Sequence, residues 1–163
     1  MTSMFSRVAA ALATAVALAG CATADMASAP TAASCVPSAD ANRKVVLAFY
    51  NEGLVGLQPR SAFERYASPH FVEHKPDVPQ GTREATATFL DQLIANVPQP
   101  RWEVVRTIAE GDMVFLHGRF TPAAGAPAYA IADVFRLEHC KIAEHWDVVA
   151  PPPKEQRNPN PRF

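Results

Sequence analysis

Apolar residues recur at helical spacing in the first part of the chain's central region and alternate with polar ones in the second. Val46, Phe49, Tyr50 and Leu54 fall on one helical stripe. Asp40 is the predicted N-cap of that helix, which runs to about Glu52, and Gly53 and Gly56 mark its end. Pro59 opens a short helix from Arg60 to about Ala67, and Ser68-Pro69 breaks it. Phe71 to His74 reads as a short extended piece closed by Pro76 and Pro79. Thr82 caps a third predicted helix reaching about Asn96, whose buried face is Phe89, Leu90, Leu93, Ile94 and Val97. Pro98 and Pro100 end it. From Arg101 onward the pattern alternates, and Trp102–Ala109, Met113–Thr121, Tyr129–Glu138 and Lys141–Val149 read as four strands. Glu110-Gly111-Asp112 and His139-Cys140 are short enough for hairpin turns, which makes the neighbours antiparallel. Helices followed by a meander of strands predict an α+β fold, with N-terminal helices packed on a curved antiparallel sheet.

Composition narrows the function classes. A chain of 163 residues allows one domain plus tails, and 48% hydrophobic residues are enough for a core. Lys+Arg is 15 against 16 Asp+Glu, so no basic surplus exists for phosphate neutralisation and a nucleic-acid role is disfavoured. Residues 151–163 are too rich in proline for a helix or a central strand and predict a disordered tail. The domain is then 39–150.

The N-terminal region predicts a compartment. Residues 1–24 hold no acidic group and a single base, Arg7, and the uncharged run from Val8 to Cys21 is too short and too alanine-rich for a membrane span. A base followed by a short apolar run reads as a signal peptide over 1–20. Its end, Leu18-Ala19-Gly20-Cys21, resembles the bacterial lipobox, in which cleavage frees the cysteine for lipid attachment. The expectation is a chain lipid-anchored through Cys21 on the periplasmic side of the cell envelope, with 21–38 as an Ala/Ser/Thr/Pro tether. Ala22, where an aspartate would favour inner-membrane retention, points to the outer membrane in a Gram-negative source. The alternative is an ordinary cleaved signal. With Cys21 acylated, Cys35 and Cys140 remain, and in an oxidising compartment their pairing is the simple reading. Two buried free thiols are the alternative.

A set of short segments occurs in order: Phe49-Tyr50-Asn51, Glu73-His74-Lys75-Pro76, Glu110-Gly111-Asp112, Ala132-Asp133-Val134-Phe135-Arg136 and Lys141-Ile142-Ala143-Glu144-His145-Trp146-Asp147-Val148. Together they resemble the SnoaL-like polyketide-cyclase family of the NTF2-like superfamily over about 42–152. The resemblance implies a cone-shaped barrel enclosing a pocket and dimerisation through the outer sheet face. It further implies an intramolecular aldol condensation with no metal or organic cofactor, an acidic residue handling the proton on the substrate carbon, and a histidine among the groups lining the pocket. Two positions depart from the family pattern, Lys75 in place of a common asparagine and Arg119 in place of a polar residue or histidine. His139-Cys140 replaces the usual Asp-Gly turn.

The residues themselves point to the same chemistry. Asp133 shares a strand face with Tyr129, Ile131, Phe135 and Leu137, whereas Arg136 and Glu138 occupy the other. It therefore points inward among apolar groups, where its pKa should rise and suit it to abstract a proton next to a carbonyl. His117, on a face with Met113 and Phe115, shares that cavity if the register allows, and would donate to a developing enolate oxygen or orient the carboxylate. His74 is a candidate contact at the pocket mouth, and Tyr50 and Phe115 are candidate substrate contacts. His145 and Trp146 alternate, so only one of them faces inward. The histidines lack any His-Glu-x-x-His spacing and no Cys-x-x-Cys occurs, so no metal site is predicted. Neither a Gly-x-Ser-x-Gly elbow nor a glycine-rich phosphate loop is present. Two functions follow: an acid/base lyase, isomerase or cyclase on a small hydrophobic carbonyl compound, or a non-catalytic lipid-anchored module that binds such a ligand.

Overall fold

The computed structural model describes residues 35–163. The predicted leader, the Cys21 lipid site and most of the tether lie outside the described residues. Helix α1 spans Ala39–Tyr50. Its cap is Ser38 and not Asp40: Ser38 has extended backbone, and its hydroxyl accepts the Ala41 N–H at 3.1 Å. Asp40 lies in the first turn, where it pairs with Arg43 and Lys44 near the positive end of the helix dipole. The chain then widens into a π turn over Asn51–Val55, in which Gly53 lets the next helix approach. A Cβ at Gly53 would come within 3.0 Å of the Ala62 Cβ. Helix α2 spans Pro59–Tyr66 and α3 spans Arg83–Asn96. Thr82 caps α3 as expected, its hydroxyl accepting from the Ala85 N–H at 3.2 Å.

The strands are β1 (Ala67–Glu73), β2 (Arg101–Glu110), β3 (Met113–Thr121), β4 (Tyr129–Glu138) and β5 (Lys141–Ala150). They form one sheet in the order β1-β5-β4-β3-β2. The meander β2 to β5 is antiparallel, but β1 lies parallel to β5, so the sheet is mixed. Between β1 and β5 the chain makes a long excursion through α3 and three strands, which gives it the length a parallel crossover needs. β1 begins earlier than the expected Phe71: Ser68-Pro69 ends α2, but an edge strand tolerates the missing N–H of Pro69. β1 and β2 are the two edges, and the sheet curves around the helices without closing. Val46 and Tyr50 of α1 pack onto Val114, Leu116 and Ile142, all five fully buried. The Phe49 ring meets Phe63 of α2 edge-on at 4.9 Å and Phe135 of β4 at 6.0 Å.

Cys35 and Cys140 form a disulfide, with Cα atoms 6.2 Å apart. It ties the segment ahead of α1 to the β4–β5 turn, where His139 and Cys140 both take the left-handed conformation at φ 48° and 57°. A two-residue hairpin turn demands that hand, which glycine supplies more cheaply than either residue here. The tail, expected to be disordered, holds no helix or strand, yet its end packs on the sheet. The Arg162 guanidinium donates to the backbone oxygens of Ala128, Ala150 and Pro151 at 2.8, 2.8 and 2.9 Å. The forked guanidinium gathers carbonyls at the start of β4 and the end of β5.

Candidate active site

Strand pairing decides which residues reach the concave side. Asp133 stands opposite Leu116 on β3 and Asp147 on β5, and Phe135 stands opposite His145. The inward set of β5 at the cavity is therefore His145, Asp147 and Val149, and Glu73 at the end of β1 lies beside His145. These side chains, with Tyr50 from α1, line a cavity of about 330 Å³ between the helices and the sheet. Its remaining wall is apolar and largely aromatic, with Phe63 and Phe89 from the helices and Trp102, Phe120 and Phe135 from the strands.

Two hydrogen-bonded groups dominate the polar part, with Asp77 and Thr86 also on the wall. In the first, His145 Nδ1 lies 2.9 Å from each Glu73 oxygen, and Nε2 lies 3.2 Å from Asp133 Oδ1. The Glu73 side chain is 1% exposed and that of Asp133 8%. The Lys75 backbone N–H also donates to Glu73, at 2.9 Å. In the second group, Lys75 Nζ donates to Asp147 at 2.9 Å on the same wall. Burial pulls Lys75 down, but Asp147 and, after it, Asp77 more than restore it, so its ammonium stays charged.

Burial pushes Asp133 above the usual carboxylate range, and Asp147 and Glu73 add to that, against the pull of His145. Burial alone would lower His145, but its bonds to Asp133 and Glu73 outweigh it and push it up to about 10. Both shifts express one fact: the pair holds a proton between Nε2 and Oδ1 through the neutral range. With that proton on the ring, His145 donates from both nitrogens and leaves Asp133 ionised, its Oδ2 without a protein partner. The folded pKa of His145 lies above its ordinary 6.5, so its contribution is full below that pH and is lost as pH rises toward about 10. Thermal unfolding of the wild type should show falling stability across that interval. Glu73→Gln removes one of the two raising carboxylates and should flatten the decline; an unchanged slope would contradict the assignment.

The sequence-predicted residues divide into two groups. Asp133, Tyr50 and His145 line the cavity. His117 and Phe115 do not: with Leu116 opposite Asp133, the odd-numbered residues of β3 face outward. Phe115 stands between Ile108 and Val134 on the outer face, and His117 lies against the Phe163 ring at 5.9 Å. His74 and Trp146 are also outside, stacked on each other at 4.3 Å, and His74 Nε2 is 2.8 Å from Glu144. Trp146 is outward because its neighbour His145 is inward. Glu73, Lys75 and Asp147 were not anticipated as site residues. Alternation carried a hint for two of them, since Glu73 shares a face with Phe71 and Asp147 shares one with His145.

Comparison with known proteins extends these observations. Residues 46–145 match the family model described as the SnoaL-like domain. A candidate SnoaL-like polyketide cyclase from Jannaschia sp. CCS1 superposes with a TM-score of 0.59 at 20% identity, over 71% of this chain and 89% of that one. TsrD from Streptomyces laurentii superposes with a TM-score of 0.58 at 17% identity, over 70% and 91% of the two chains. For a cystatin-fold protein from Novosphingobium aromaticivorans the TM-score is 0.55 at 19% identity, over 66% and 97%. At these identities the likeness is one of fold. No curated protein matches the chain.

Proposed function

Because this chain belongs to the SnoaL-like domain family, we propose that its cavity enolises a small apolar carbonyl compound by acid/base chemistry, as the proton-transfer step of an aldol-type cyclisation, a lyase reaction or an isomerisation. The observation that carries the proposal is the state of Asp133. One of its oxygens is held by His145, which Glu73 holds in turn, and the other is buried at the wall of an apolar cavity without a protein partner. The fixed oxygen sets the carboxylate plane, and the free one accepts a proton from carbon. Burial weakens the hydration of the anion and makes it a stronger base than an exposed aspartate. His145 is a positioning residue in this scheme: it orients the base and keeps the charge of the site from accumulating during transfer.

The apolar wall would equally hold a ligand without turnover, and one experiment separates the two readings. The purified chain is mixed with 2-tetralone in D2O, and exchange of the hydrogens next to the carbonyl is followed by NMR. Exchange well above the buffer rate is expected. Tight binding of the ketone with exchange at the buffer rate would favour the carrier.

A further inference from the structure

The cavity contains two buried polar side-chain atoms without a protein partner, Asp133 Oδ2 and the Tyr50 hydroxyl. Tyr50 is completely buried at the end of α1, and its ring forms part of the cavity wall. The sheet makes room for its hydroxyl. Gly118 lies mid-way along β3 on the inward face, and a Cβ there would come within 2.9 Å of the Tyr50 oxygen. Glycine weakens a strand interior and is found where another group must approach closely. Leaving a buried hydroxyl unpaired costs about 1–3 kcal/mol. Gly118 thus leaves room for a hydroxyl that has no hydrogen-bond partner in the structure.

Burial, and then the Asp133 carboxylate, push the Tyr50 hydroxyl far above its ordinary range. The group therefore keeps its proton and acts as a donor, neither an acid that gives the proton away nor a nucleophile. Asp133 is near enough for the Tyr50 hydroxyl to turn toward it and feel its charge, yet the two do not meet hydrogen-bond geometry, and each is left for another partner. A donor and an acceptor side by side, each unsatisfied, fit a ligand that presents an oxygen next to a C–H.

We propose that Tyr50 donates its hydrogen bond to the substrate's carbonyl oxygen while Asp133 Oδ2 faces the adjacent carbon, so that the cavity selects enolisable ketones that enter oxygen first. The assignment of the chemical step rests on the enolisation reading above. In that step Asp133 Oδ2 takes the proton from carbon, and the C–H electron pair becomes the new carbon–carbon double bond. The carbonyl π pair moves to oxygen, whose new charge strengthens the bond from Tyr50. Collapse of the enolate onto an electrophilic carbon, or return of the proton, restores the carbonyl.

The test uses 2-naphthol as an enol mimic and naphthalene as the same body without oxygen. Binding to the wild type and to Tyr50→Phe is followed by tryptophan fluorescence, since Trp102 lines the cavity. Tyr50→Phe should weaken 2-naphthol about tenfold, leave naphthalene unchanged, and keep the unfolding midpoint at or above that of the wild type, because the hydroxyl it removes is buried without a partner. The proposal is overturned if 2-naphthol binds both proteins equally, if both probes weaken together, or if neither binds the wild type. In the deuterium-exchange assay Tyr50→Phe should be roughly a hundredfold slower. Full-rate exchange in Tyr50→Phe, with exchange abolished in Asp133→Asn, would remove Tyr50 from the reaction and leave the enolisation reading standing. Tyr50-dependent 2-naphthol binding without any exchange would do the reverse.

Discussion

Asp133→Asn is expected to slow turnover of an enolisable ketone by about a hundred- to ten-thousandfold, the range lost when a positioned base is removed. The substitution keeps the shape of the side chain, and its amide oxygen can still accept from His145 Nε2 at the position Oδ1 now holds, 3.2 Å away. What disappears is the second, free oxygen as a proton acceptor. The loss should therefore fall on kcat, with KM for a neutral ketone nearly unchanged. Folding should survive, because a buried carboxylate whose pKa is raised by burial costs the fold more than a neutral amide does. Asp147, the cross-strand neighbour of Asp133, is poorly placed to substitute, because Lys75 engages both of its oxygens at 2.9 and 3.3 Å. Turnover persisting within tenfold of wild type would show that another group moves the proton.

The largest effect on stability is expected from the disulfide. The bond spans 105 positions of sequence, a loop that contains every helix and the first four strands among the described residues. Constraining so long a loop in the unfolded chain is worth about 4–5 kcal/mol by loop entropy, and removal of native disulfides is typically found to cost about 2–5 kcal/mol. Replacing both cysteines with serine should lower the thermal midpoint by roughly 10–20 °C. The left-handed turn at His139 and Cys140 allows the loop effect to be separated from local strain. With Cys35→Ser, glycine at position 140 should recover about 1 kcal/mol relative to serine there, because only glycine takes that conformation without penalty. A midpoint within about 2 °C of wild type in the double serine variant would mean that the unfolded chain is already constrained by other means.

Much of the fold was legible because local and global preferences agree. Alternation and turn residues delimit β3 and β4, and Thr82 announces α3 because a hydroxyl residue stands directly before its first turn. Where two residues could play one role, local reading chose wrongly. Ser38 and Asp40 are both cap formers, and the extended backbone of Ser38 decides between them. Pro69 reads locally as a breaker, yet at a sheet edge it is tolerated, and β1 starts at Ala67.

The site was legible one strand at a time. Asp133 was placed correctly because its own strand has one charged face and one apolar face. β3 carries apolar residues on both faces, Val114 and Leu116 inside and Met113 and Phe115 outside, so alternation alone could not orient His117. The choice between His145 and Trp146 likewise required the pairing of β5 with β4. Glu73 and Lys75 reach the cavity only through the parallel docking of β1, a contact between segments about 70 residues apart that no local pattern encodes.

A base of this kind requires that the buried Asp133 carboxyl hold its proton more firmly than an exposed aspartate does. Its ¹³C carboxyl resonance, identified by its absence in Asp133→Asn, can be titrated directly in the folded protein. A midpoint above the ordinary value of 3.8 is expected. A midpoint at or below that value would contradict the assignment of Asp133 as the base.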